Sequence, residues 1–377
     1  MLRIERTLDT PTWQRVALPF ASLLLAAILS GVVLALSGHD PISTYRQIYA
    51  ASFTSPGALT ATFVYATPLL FTGLCVAVAF RVRVWNIGGE GQLYMGAVGA
   101  SGAGLLFGSW PAPLLVPAMM VAGVAAGALW AMIPALLRAY LRTNEILVSL
   151  MLNYVAGLVM YFLIYDSQSG WRDLTSPTAL VFPQGRNLVP AADWPGLTIG
   201  SFTLPGGFIV GAVLAVVLMV VVRLTRFGFE MRMMGDSVPA ATYAGVRIRR
   251  LIVSVMALSG GIAGLGGASQ IGDFAHVLDP RGLQQAQYGY TGIVVAALAL
   301  YNPLAVVVVS ILIGALANAG FALQGPSFPS GLVGTMEGII LFSVLGGEIL
   351  GRYRIRIGRA LRPAGAGDAG GSLAAGS

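Results

Sequence analysis

The chain has 377 residues, of which 56% are apolar and only 10% charged, and its mean hydropathy is +0.79. A water-soluble domain of this size needs more polar surface, so lipid is the implied solvent for much of it. The net charge of +7 comes from arginine alone, for the sequence contains no lysine. The arginines cluster between apolar runs, a membrane-topology pattern and not a nucleic-acid-binding face.

Several chemistries are excluded at once. The lone Cys75 lies in an apolar run and cannot form an intrachain disulfide. With His39 and His276 as the only histidines, haem ligation, HExxH zinc sites and Cys/His clusters are ruled out. Without lysine there is no GxxxxGK[ST] phosphate loop, so any ATP-driven motor must be another polypeptide.

In chain order, apolar runs of spanning length fall at 17–37, 58–80, 91–109, 112–137, 146–165, 203–222, 251–272, 288–301, 303–323 and 331–350. The first follows arginines as a signal peptide would, but its length reads as a retained span. The eighth is short and reads either as a span or as a half-helix or re-entrant segment. The expected fold is therefore an all-α polytopic transmembrane bundle of about ten spans, with nine as the alternative.

Arginine placement orients it. With a cytoplasmic N-terminus, eighteen arginines fall inside and only Arg46, Arg172, Arg186 and Arg281 outside. An even span count returns the C-terminus to the cytoplasm. Residues 166–202 then form an external loop and 223–250 the longest internal one. One membrane domain is expected over 1–362, followed by a Gly/Ala/Ser-rich disordered tail at 363–377.

Glycine is abundant within the spans, and Gly123/Gly127 and Gly260/Gly264 have the GxxxG spacing that lets helices approach closely. Pro68, Pro117 and Pro134 interrupt spans, so neighbouring helices must satisfy freed carbonyls. Gly99-Ala100-Ser101-Gly102 matches the GxSG serine motif of rhomboid-type proteases, but neither histidine falls where it could serve as the base.

Two internal segments carry information. In the first, Asn86, Glu90 and Gln92 surround three glycines at the edge of the third span. They read either as a helix start, with Asn86 capping and Glu90 complementing the dipole, or as polar groups lining a path. In the second, Ser237 reads as an N-cap, Pro239 sits in the first turn and Gly245 ends the helix. A short rigid internal helix of this kind suits a surface that receives force from a motor subunit.

The strings NIGGEGQLYMGAVGA (86–100), NEILVSLMLNYVAGLVMYFL (144–163) and RFGFEMRMMGDSVPAATYAGVRIRR (226–250) resemble permeases of bacterial ABC importers of the branched-chain amino acid, ribose and nucleoside superfamily. They are most similar to the nucleoside/simple-sugar group, and the likeness runs over about residues 15–352. It implies a multi-pass protein of the bacterial cytoplasmic membrane with no catalysis or cofactor of its own, ATP being bound by a partner. It also implies three partners: a cytoplasmic ATP-binding subunit, a second permease in a heterodimer, and an extracytoplasmic solute-binding lipoprotein. Residues 230–246 would be the coupling helix, with Gly235, Asp236, Ser237, Pro239, Ala240, Ala241, Tyr243, Ala244 and Gly245 meeting the ATPase.

A nucleoside carries a flat heterocycle and several hydroxyls, so its passage calls for amide or carboxylate partners beside aromatic faces. Inside the spans these are Gln92, Asn153, Asn318 and Glu337, with Asn86 and Glu90 at the inner edge. Asn318 and Glu337 reach comparable outer depths and are expected to face one vestibule. The amides alternatively serve as interhelical glue. A secondary transporter would show several acidic residues or broken helices at mid-membrane, and a channel a ring of ligands; both stay open as alternatives.

Overall fold

The structure, a computed structural model, describes residues 2–6, 12–324 and 330–357. Its helices are α1 (Thr12–Leu36), α2 (Pro41–Tyr49), α3 (Ala58–Phe80), α4 (Gly89–Leu106), α5 (Ala112–Leu141), α6 (Glu145–Tyr161) and α7 (Pro177–Val181). They continue as α8 (Gly206–Leu224), α9 (Arg226–Asp236), α10 (Val238–Tyr243), α11 (Ile248–Ser269), α12 (Pro280–Ala286), α13 (Tyr288–Leu298), α14 (Pro303–Ala322) and α15 (Ser330–Arg352). Strands β1 (Leu2–Arg6) and β4 (Tyr353–Ile357) pair antiparallel, so the two ends of the described chain lie side by side. Strands β2 (Leu197–Ile199) and β3 (Phe202–Leu204) form a small hairpin. The tail 363–377 lies outside the described residues.

Among the described residues, six helices are long and apolar enough to cross a membrane: α3, α5, α6, α8, α11 and α14. A seventh arises if the end of α1 and the α2 region, bent by 117° at Ser37–Asp40, form one crossing. The ten runs read from sequence include two, at 91–109 and 288–301, that fall short for physical reasons. Helix α4 has only 18 residues and a first turn of Gly89, Glu90, Gly91 and Gln92, which dilutes its hydropathy. The eighth run yields α13, whose 11 residues rise about 16 Å, half a bilayer core.

The core is a glycine-mediated contact of α4, α5 and α11, with α5 and α11 sharing the largest interface. A Cβ on Gly264 would strike the Gly123 carbonyl, and one on Gly127 the Gly260 carbonyl. One on Gly96 would meet Gly264 itself. The two expected GxxxG pairs therefore face each other and bring the backbones into contact.

Two ends of the bundle are defined by contacts across α3. At one end Arg81 donates to the Tyr301 carbonyl (2.9 Å), and Gly235 at the end of α9 packs on the Arg81 carbonyl. At the other, Thr203 N–H donates to Thr60 Oγ1 (3.0 Å) and Asn318 Nδ2 donates to the Ala58 carbonyl (3.2 Å). Midway, Thr72 Oγ1 donates to the Tyr288 carbonyl (3.0 Å), which puts the start of α13 inside the bundle. Helices α12 and α13 are joined at Gln287, which has φ +49°.

Overpacking the glycine contact should cost about 1–3 kcal/mol. Gly264→Val is expected to lower the thermal midpoint of the purified protein clearly. Gly338→Ala in α15, where a Cβ would meet nothing within 4 Å, should leave it unchanged or raise it.

Candidate functional site: a buried polar junction at a broken helix

The chain leaves α3 at Phe80 and returns through an irregular stretch to start α4 at Gly89. Most of its backbone amides turn back onto the carbonyls of Ala79, Phe80, Val84 and Trp85, and side chains meet those of Gly88 and Gly91. Asn153 of α6 accepts from Gly91 N–H (2.9 Å) and donates to the Ile87 carbonyl (3.0 Å) and the Tyr290 hydroxyl (3.2 Å). Asn86 and Gln92 exchange two amide bonds of 2.9 Å each. Asn86 also donates to Ser259 Oγ (2.9 Å) on α11, whose hydroxyl donates to the Cys75 carbonyl (2.8 Å) on α3. All four predicted residues of this region, Asn86, Glu90, Gln92 and Asn153, are buried.

Glu90 is only 2% exposed. Its carboxylate accepts from the Tyr94 hydroxyl and from the Gly289 N–H in the first turn of α13. A Cβ on Gly289 would meet Glu90 backbone atoms, so glycine is required for this approach. The start of a half-helix carries unpaired amides and positive dipole charge, and Glu90 meets both. Asp273 plays the same part elsewhere: it lies in the wide turns Gln270–Ala275 that extend α11 and accepts from Gly207 N–H (2.8 Å) at the start of α8.

The predicted residues do not all meet. Asn318 lies at the far end, on α14, where Nδ2 donates to the carbonyls of Ala51 (3.1 Å) and Ala58 (3.2 Å) and to Thr62 Oγ1 (3.2 Å). It borders a cleft of about 510 Å³ between the α2 region, α3 and α14. Glu337 falls within α15, but its side chain lies outside the described residues, and so does the vestibule it was expected to share with Asn318. The serine of the GxSG string is a packing tie: Ser101 donates to the Ala97 carbonyl (2.7 Å) and accepts from Trp171 Nε1 (3.1 Å).

The second predicted feature forms as its signals imply. Ser237 caps α10, its hydroxyl accepting from Ala240 N–H, Pro239 occupies the first turn, and Gly245 follows at φ +82°. Of the residues expected to meet a partner, Ala241 is fully buried and Gly235 is packed on Arg81, so both seat the helix. Ser237, Pro239, Ala240, Ala244 and above all Tyr243, 97% exposed, face outward.

Sequence reading missed Asp273, Tyr94, Tyr290 and Ser259. Tyr94 stands four residues after Glu90, one turn along the same helix face, a spacing that could have found it. Asp273 lies one residue beyond the span read at 251–272. In the segment 166–202, Asp173 is held below the usual carboxylate range by the Thr175 N–H and hydroxyl. His276 Nδ1 lies 2.9 Å from Asp193 Oδ1 without hydrogen-bond alignment.

Six helices long and apolar enough to span, a buried polar junction among them and a capped helix displayed at one end describe a multi-pass membrane protein of the transport-permease class. The chain belongs to the family of the branched-chain amino acid transport system permease component, whose pattern matches residues 58–345. It is 30% identical over 367 residues to the glucose ABC transporter permease protein TsgB13 of Haloferax volcanii, covering 94% of each chain. The guanosine ABC transporter permease protein NupP of Bacillus subtilis is 30% identical over 86% of this chain and 92% of its own. The nucleoside ABC transporter permease protein NupB of Lactococcus lactis is 25% identical over 88% and 91%.

Deleting one half of the Asn86–Gln92 exchange leaves a buried amide unpaired, at a cost of about 1–3 kcal/mol. Asn86→Leu and Gln92→Leu should each destabilise the purified protein in denaturant or thermal unfolding. The double variant should lose clearly less than the sum, and strict additivity would show that the two amides act independently.

Proposed function

We propose that the chain is the membrane permease subunit of an ABC importer that carries a small uncharged polar solute, a sugar or a nucleoside. Support comes from the family, and from relatives named for glucose and nucleoside transport that match over most of their length. The pathway residues proposed are Asn86, Glu90, Gln92 and Asn153 at the inner junction with Asn318 and Glu337 further out. None is a nucleophile or a metal cage; their role is to bond hydroxyls or to hold the helices that do.

In this reading the chain crosses the bacterial cytoplasmic membrane ten times, with α12–α13 together making the eighth crossing. The termini, the Arg81 end and α9–α10 face the cytoplasm, and residues 166–202 lie outside. The internal segment 223–250 couples to a separate ATP-binding subunit, a second permease completes the translocation unit, and an extracytoplasmic binding lipoprotein delivers the solute.

The observation that carries the reading is α10, seated by buried Ala241 and presenting a tyrosine 97% exposed. An aromatic on a rigid short helix is the kind of anchor on which interfaces concentrate their energy. Tyr243→Ala should weaken association with the ATP-binding subunit by about 2 kcal/mol, near thirtyfold, with membrane insertion unchanged. Undiminished co-purification and solute-stimulated ATP hydrolysis would leave α10 as a connector only.

Orientation is checked by labelling with a membrane-impermeant thiol reagent, Cys75 being fully buried and therefore silent. Asn187→Cys should react in intact cells and Ala240→Cys only after lysis. The reverse pattern overturns the assignment of sides.

A further inference from the structure

The cleft of about 510 Å³ at the far end of the bundle is lined by Gln47, Ser55, Pro56, Ala61, Asn318 and Leu323 among others. Asn318 is 4% exposed, and its amide is used on one side only. Nδ2 is committed to Ala51, Ala58 and Thr62, while no donor among the described residues reaches Oδ1. Oδ1 therefore stands open at the cleft wall as a hydrogen-bond acceptor. Gln47 and Ser55 are exposed and add two further uncharged polar groups to the same wall.

The rest of the lining is small and apolar. Among the described residues it contains no charged side chain and no aromatic ring. These uncharged groups disfavour phosphates and carboxylates as occupants and offer partners for hydroxyls before they offer a face for a nucleobase. The volume lies within the range of small-molecule sites. The cleft adjoins the starts of α3 and β3, at the bundle end opposite Arg81 and α10.

Resting on the importer reading above, we infer that this cleft is an entry subsite for a compact uncharged polyhydroxylated solute of the monosaccharide class, with Asn318 Oδ1 as its central acceptor. Such a ring supplies hydroxyl donors to Oδ1 and accepts or donates at Gln47 and Ser55. A nucleoside meets the same groups only through its ribose and leaves its base against alanine and leucine.

The test uses Ser55→Cys in the complete transporter in proteoliposomes, with the wild-type chain as blank because Cys75 is buried. Labelling by an impermeant maleimide should slow as 1 + [sugar]/Kd on adding D-glucose or D-ribose, about tenfold at nine times Kd. Uridine should give little or no protection. Gln47→Leu, which removes an exposed side chain from the wall, should raise the protecting sugar concentration about two- to tenfold with uptake of the complex still measurable. Equal protection by sugar and uridine, or no protection by either, overturns the subsite. Uptake and ATP hydrolysis in the same vesicles separate the two failures. Sugar or nucleoside transport without protection removes the cleft and leaves the importer reading standing, whereas absence of both transport and a bound ATPase removes the reading itself.

Discussion

Lipid offers no hydrogen bonds, so every backbone amide that leaves a helix inside the bundle must be met by the protein itself. The junction of α3, α4, α6, α11 and α13 is where this constraint is most severe, because an irregular return and a half-helix start meet there. Glu90 takes the first turn of α13, Asn153 takes the first turn of α4, and the Asn86–Gln92 exchange ties α4 through Ser259 to α11 and α3. Remove these polar groups and the starts of α4 and α13 lose their partners inside an apolar surrounding.

The same constraint explains why carboxylates sit at helix starts. Glu90 at α13 and Asp273 at α8 each receive an amide of the first turn, where the dipole is positive. In broken-helix carriers such a terminus commonly faces an anionic group of the cargo. Here it is filled from within, which agrees with a pathway for uncharged solutes.

Close approach is the second requirement, and glycine supplies it. Side-chain groups as short as serine and asparagine can bridge helices only if backbones nearly touch. The Gly96, Gly123, Gly127, Gly260 and Gly264 contact achieves that between α4, α5 and α11. The packed centre is also tied to α9 through Gly235 on the Arg81 carbonyl, and to the α13–α14 connection through the Arg81 bond to Tyr301.

Much of this is local and therefore legible in the chain. Apolar run length, the GxxxG pairs, the Ser237 cap, Pro239 in the first turn and Gly245 at positive φ depend on neighbours a few residues away, so they survive without a fold. The candidate polar residues were visible for the same reason: Asn86, Glu90, Gln92, Asn153 and Asn318 stand out against apolar surroundings. Their partners were not, because Glu90 meets Gly289, Asn86 meets Ser259 and Asn318 meets Ala51 across gaps that only folding closes. The same holds for α10, where sequence named Ala241 as a contact and packing turned it inward while leaving Tyr243 out. Sequence alone determined a helical membrane protein with a short capped helix between spans and no ATP-binding loop, since hydropathy and caps act locally. Tertiary structure decided that four of its polar residues form one buried junction while Asn318 opens a separate cleft, since hydrogen bonds between helices depend on which faces meet.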